Sequence, residues 1–178
     1  MPPAEILLPD VFRGRLFVGG LSPALNTRYL RSLNVVLSVN CIGPFRGRDT
    51  VNRQYTLVDE ARKADGIHAV DFLVNLPRHQ REYCKVFEAM REVLGKEGQS
   101  VYVLCVNGKD RSPFVIYAFL QLTYSIEEIQ ARAALQARVG VVGRCIVNLD
   151  DVNQRGPRAW LARALLARQA DDQYESIQ

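Results

Sequence analysis

At 178 residues, 48% hydrophobic and 24% charged, the chain has the length and composition of one globular domain with a full-sized core. No apolar run approaches the roughly 18 residues of a membrane span, and the opening MPPAEILLPD lacks the basic start and long apolar stretch of a secretory leader. The expectation is an intracellular, cytoplasmic protein, with the nucleus as the alternative, whose net charge of +4 suits an anionic substrate or partner. Cys41, Cys84, Cys105 and Cys145 are far apart with no C-x-x-C pair, and His68 and His79 are the only histidines, so neither a disulfide framework nor a zinc site is expected.

In chain order, residues 1–11 read as an extended lead-in, and RLFVGG (15–20) as a short strand closed by two glycines. Ser22 caps and Pro23 opens a helix that places Leu25, Leu30 and Leu33 on one face. VVLSVN (35–40) is nearly continuous in apolar character, as strands covered on both faces are. A polar loop (41–53) precedes a strand at 54–59, and IHAVDFLV, within 61–77, fits a strand or a helix start. Residues 78–98 form an amphipathic helix ending at Gly95 or Gly98, with Tyr83, Phe87, Met90 and Leu94 as its inward stripe. A strand at 101–106 leads to a helix at 113–124. Ser125 and Glu128 make a capping box for a helix to about 138, and a last helix covers 157–169. The folded domain is expected over 12–169, with 170–178 a loose tail. Strands alternating with helices give an α/β fold, a central mainly parallel twisted sheet flanked by helices.

The junction VYVLCVNGKDRSPFVIYAFL (101–120) carries the chemistry. In open α/β sheets, sites form beyond the carboxyl ends of strands. Cys105 stands at such an end, with a helix a few residues on. Backbone N–H groups of a tight loop and of a helix N-terminus bind anions, phosphate above all. Gly108 permits the curvature, Ser112-Pro113 reads as a helix start with Ser112 as cap, and Arg111 can grip two phosphate oxygens with its planar fork. A cysteine in such a cradle ionises readily: a fall of roughly 2–4 units from a free thiol's pKa corresponds to about 3–5 kcal/mol of preference for the thiolate. The same positive field receives the phosphoryl group that the thiolate attacks.

C-V-N-G-K-D-R-S resembles the C-x5-R-[ST] signature of the cysteine-based protein tyrosine phosphatases and is most similar to the small dual-specificity phosphatases. RLFVGG, LRSLNVVLSVN, the amphipathic helix, the signature strand and YSIEEIQARAALQAR follow that family's order over about residues 12–168. The resemblance implies a dual-specificity-phosphatase-like fold and a hydrolase acting on phosphorylated protein, through phosphotyrosine and also phosphoserine or phosphothreonine. Cys105 is then the nucleophile that forms a phosphocysteine. Val106, Asn107, Gly108, Lys109, Asp110 and Arg111 wrap the phosphate, and Ser112 stabilises the departing thiolate. Asp71, 34 positions before Cys105, is the first choice of general acid, ahead of Asp65 and Asp59. No metal or other cofactor and no DNA partner is implied.

Three positions depart from that family. Leu104 stands where a histidine is usual, Asn107 where alanine is common, and Lys109-Asp110 makes the loop similar to bacterial phosphatases active on phosphoinositides as well as phosphoproteins. In that group the loop aspartate shares the acid role, which makes Asp110 the rival of Asp71. Two alternatives therefore stand beside the protein phosphatase: a phosphoinositide or RNA 5′-phosphatase, favoured by the basic balance and Lys109, and a weakly active phosphate-binding pseudophosphatase, motivated by Leu104. Cys41, Cys84 and Cys145 read as packing residues rather than redox partners.

Overall fold

The structure, a computed structural model, describes residues 3–6, 8, 10–42, 60, 63, 65–72, 80–109 and 111–139. The expected strand at 54–59, the helix at 157–169, the tail, most of the 41–53 loop, Asp59, His79, Asp110 and Cys145 lie outside them. In order, the described elements are β1 (Ala4–Ile6), β2 (Arg15–Gly19), α1 (Leu21–Leu25), α2 (Thr27–Ser32), β3 (Val35–Asn40), β4 (His68–Asp71), α3 (Gln80–Leu94), β5 (Ser100–Leu104), α4 (Arg111–Tyr124) and α5 (Glu128–Val139). The strands form one sheet in the order β1-β2-β5-β3-β4. β2, β5, β3 and β4 run parallel, and β1 lies antiparallel on β2. This is the expected α/β architecture, a mainly parallel sheet flanked by helices.

Alternation along the strands divides the core between the two sheet faces. Leu16, Val18, Leu37, Val39, Val101 and Val103 pack on one face with α3, α4 and α5. Phe17, Tyr102 and Leu104 pack on the other with Leu21 and Ala24 of α1 and Leu30 of α2. The stripe Tyr83, Phe87, Met90 and Leu94 is buried as its spacing implies. α4 is buried from Ser112 through Gln121, which is why PFVIYAFLQL has no polar side. Among the described residues no helix is long and apolar enough to cross a membrane.

Several local expectations are corrected. Residues 4–6 of the lead-in are an edge strand, fastened by a bidentate pair in which Arg15 Nε and Nη2 meet Glu5 Oε1 and Oε2 at 2.8 and 2.6 Å. The helix expected from Ser22 begins at Leu21 with Gly20 as its cap, because β2 passes directly into it through Gly19-Gly20. It breaks at Asn26, whose side chain accepts the Tyr29 N–H at 3.0 Å and starts α2. Leu25 is consequently exposed, while Leu30 is buried. Ser125 is not the cap of α5: it has φ 52°, and the helix begins at Glu128 with the Gln130 and Ala131 N–H groups donating to the Glu127 carbonyl. IHAVDFLV resolves as a strand over His68–Asp71.

The functional consequence of the register is a level row of strand ends. Gly19 pairs with Leu104, Leu104 with Asn40, and Asn40 with Asp71. Holding that row depends on the helical face of the core, where the fully buried Phe119 ring meets Phe87 edge-on at 5.7 Å and Tyr124 at 5.5 Å. Phe119→Ala should cost about 3–5 kcal/mol of stability, read from urea unfolding with an unchanged slope; a loss within experimental error would mean that this cluster does not anchor the sheet.

Candidate active site

Cys105 follows the last residue of β5, is 2% exposed, and has its N–H on the Gly19 carbonyl at 3.3 Å. The chain then turns back sharply, so that the Gly108 N–H donates to Cys105 Sγ at 3.2 Å. That bond favours the thiolate, a stronger acceptor than the thiol. Gly108 makes the turn with φ +71°. A Cβ on it would stand 2.6 Å from the Gly19 carbonyl carbon and 2.9 Å from the Gly20 nitrogen, so glycine is required for space as well as for conformation. The Leu21 N–H donates to the Val106 carbonyl at 3.1 Å and closes the contact between the β2–α1 turn and the loop.

Arg111 is the first residue of α4, and its Nη1 donates to the carbonyls of Cys41 and Ile42 at 3.2 and 2.8 Å. The guanidinium is thus tethered to the end of β3, beside the loop that Cys105 opens. Ser112 is the second residue of the helix, not its cap. Pro113 lies in the first turn, where a missing N–H leaves no intrahelical bond unmade. Ser112 is fully buried, and its Oγ has no hydrogen-bond partner among the described residues. Gly108 is buried, Val106 half-buried, and Asn107 and Lys109 are exposed.

Asp71 is exposed at the end of β4, in the strand-end row, two strands from Leu104. At about 4.8 Å per strand, this sets it roughly 10 Å across the sheet from the loop, at the same edge. Asp65 is engaged elsewhere: it accepts from Thr27 Oγ1 and pairs with Arg31 at 3.7 Å, before β4 begins. Among the described residues no group of three or more His, Cys, Asp or Glu is placed to hold a metal ion.

Two features of the site escaped the sequence reading. Gly19-Gly20 is the wall on which the loop rests, where a strand terminator was expected. Cys41, read as packing, is buried at the end of β3, one step past the Asn40–Leu104 pair, with its N–H on the Leu104 carbonyl at 2.8 Å. The like endings SVNC and YVLC of two adjacent parallel strands were the available signal.

Burial, and after it the neighbouring Cys105, raises the Cys41 thiol well above its ordinary value; Arg111 opposes the shift and Asp71 adds to it. Folded protein therefore keeps this proton where an unfolded chain, with a thiol pKa of about 8.5, releases it. In that interval the unfolded state binds fewer protons, so stability falls as pH rises. The urea midpoint should drop between about pH 8 and pH 10, and drop less in Cys41→Ala; equal drops would assign the effect to other groups.

No family model and no curated protein matches the sequence. Solved structures do match its fold. A mouse putative dual specificity phosphatase complexed with zinc tungstate is 22% identical, with 97% of this chain and 92% of that one covered and a TM-score of 0.63. Human DUSP28 is 20% identical over 95% and 97% of the two chains, TM-score 0.58. A kinase associated phosphatase with its catalytic cysteine substituted by serine is 16% identical over 78% and 83%, TM-score 0.59. The chain has the fold of the small dual-specificity phosphatases.

Proposed function

We propose that the protein is a cysteine-dependent phosphatase that hydrolyses phosphotyrosine, and also phosphoserine and phosphothreonine, in protein substrates. The observation that carries this reading is the Gly108 N–H on Cys105 Sγ at 3.2 Å, in a loop that ends at Arg111 on the first turn of α4. A backbone donor aimed at the sulfur, with a helix N-terminus and a guanidinium close by, is the kind of environment that favours a thiolate. The tungstate complex of the mouse relative supports an oxyanion site on this fold.

In this reading the Cys105 thiolate attacks phosphorus in line, forming the S–P bond as the bond to the leaving oxygen breaks. Loop N–H groups, the N-terminus of α4 and Arg111 carry the charge of the transferring phosphoryl group. Asp71 delivers a proton to the leaving oxygen, then takes one from the water that attacks the phosphocysteine. Cys105 departs as the thiolate it began as, held by the Gly108 N–H, with the Ser112 hydroxyl as the second donor for which no other partner exists among the described residues. An unblocked thiolate of this kind suits a reducing, intracellular compartment. Lys109, exposed in the loop, favours substrates with more than one phosphate, which keeps phosphoinositides and 5′-triphosphate RNA as the second reading.

Cys105→Ser should abolish hydrolysis of an aryl phosphate while retaining the fold and oxyanion binding. A serine variant with most of the wild-type turnover excludes covalent cysteine catalysis, and a wild type that binds vanadate without any turnover supports a binding module instead. Asp71→Asn should slow a poor leaving group by about 10²–10⁴-fold, an activated nitrophenyl ester far less, and flatten the basic limb of the pH–rate profile. Asp110→Asn should lower activity on every substrate by a similar factor. The reverse pattern would move the acid role to Asp110 and strengthen the phosphoinositide reading.

A further inference from the structure

The peptide that joins Gly20 to Leu21 is held at both ends. Its carbonyl accepts the Tyr102 hydroxyl at 2.8 Å, and its N–H donates to the Val106 carbonyl at 3.1 Å. The second bond turns the Val106 carbonyl outward, toward α1. In a trans peptide the C=O and N–H point in opposite directions, so the Asn107 N–H of that same unit is turned the other way, away from α1.

Tyr102 is built into this arrangement. It is 0% exposed, so no bulk water can replace its bond to Gly20. Its hydroxyl lies where a Cβ on Gly19 would stand, 2.2 Å away, so ring and turn are shaped to one another. Burial first, then the charge of Cys105, raises the phenol well above its ordinary value, which keeps it a neutral donor. Leu104 lies on the same face of β5, nearer the nucleophile, and has no polar atom to offer.

We propose that Tyr102 is a positioning residue for the Cys105 loop: through the Gly20–Leu21 peptide its hydroxyl fixes the Val106 carbonyl outward and aims the Asn107 N–H at a bound oxyanion. This inference rests on the phosphatase reading above. Tyr102 touches no substrate. It sets the direction of one donor in the cradle, and chained hydrogen bonds polarise one another along that path.

The test compares wild type, Tyr102→Phe and Phe17→Leu, the last a change in the same apolar cluster whose side chain makes none of the hydrogen bonds that tie Tyr102 to Gly20 and Leu21 to Val106. Inorganic vanadate affinity is measured by calorimetry, and kcat/KM on an aryl phosphate beside it. Tyr102→Phe should bind vanadate about tenfold more weakly and lose kcat/KM by a similar factor. Phe17→Leu should lower the thermal midpoint and leave both quantities per folded molecule unchanged. Vanadate affinity of Tyr102→Phe equal to wild type overturns this inference alone; a wild type that neither binds vanadate nor hydrolyses ester overturns the phosphatase reading as well. If Tyr102→Phe does not fold, amide exchange in the wild type decides. Vanadate should slow exchange at Leu21, outside the pocket, together with Asn107 and Gly108, and an unaffected Leu21 would overturn the relay.

Discussion

The close approach of Gly108 to the Gly19-Gly20 backbone is the constraint on which the site depends. Any side chain at Gly108 would be driven into a peptide group that cannot yield, since that group is bonded to Cys105 on one side and belongs to the β2–α1 turn on the other. With three glycines in contact, the loop can curl tightly enough for its own N–H to reach the sulfur three residues back. A wider loop would leave Cys105 as an ordinary buried thiol at the end of a strand.

That contact in turn needs the strands to end level. A parallel sheet fixes the level through its register, and the register is fixed by which residues face which half of the core. A one-residue slip of β5 would move Val101 and Val103 to the face of α1 and α2 and carry Tyr102 and Leu104 to the face of α3 and α4. The penalty on every side chain at once is what places Cys105 beside Gly19 on one flank and Cys41 on the other. Arg111 benefits from the same alignment, since the carbonyls that orient it are the first two past the end of β3.

Much of this was legible in the sequence, for physical reasons that differ by element. The helix of Tyr83, Phe87, Met90 and Leu94 follows from periodicity, and β3 over 35–40 from a nearly unbroken apolar run. The loop was legible because a cysteine, a glycine and an arginine at that spacing, between a buried strand and a buried helix, serve few other purposes. Helix starts were less so. Ser22, Ser112 and Ser125 each carry the residue type of a cap, yet the helices begin at Leu21, Arg111 and Glu128: the first two starts are bonded to distant segments, and Ser125 has a positive φ. Pairings between distant segments were not legible at all: that Tyr102 reaches Gly20, or that Cys41 lies beside Leu104, depends on sheet order, which no local pattern encodes.

The central claim is that this geometry makes Cys105 a nucleophile toward phosphorus. Rapid mixing of wild-type protein with p-nitrophenyl phosphate, acid quenching on the timescale of a single turnover, and peptide mass analysis tests it directly. The account predicts a phosphoryl group on the peptide that contains Cys105, formed as nitrophenol is released and lost as turnover completes. Nitrophenol release with no phosphoryl adduct, or with the adduct on any other residue, would contradict it.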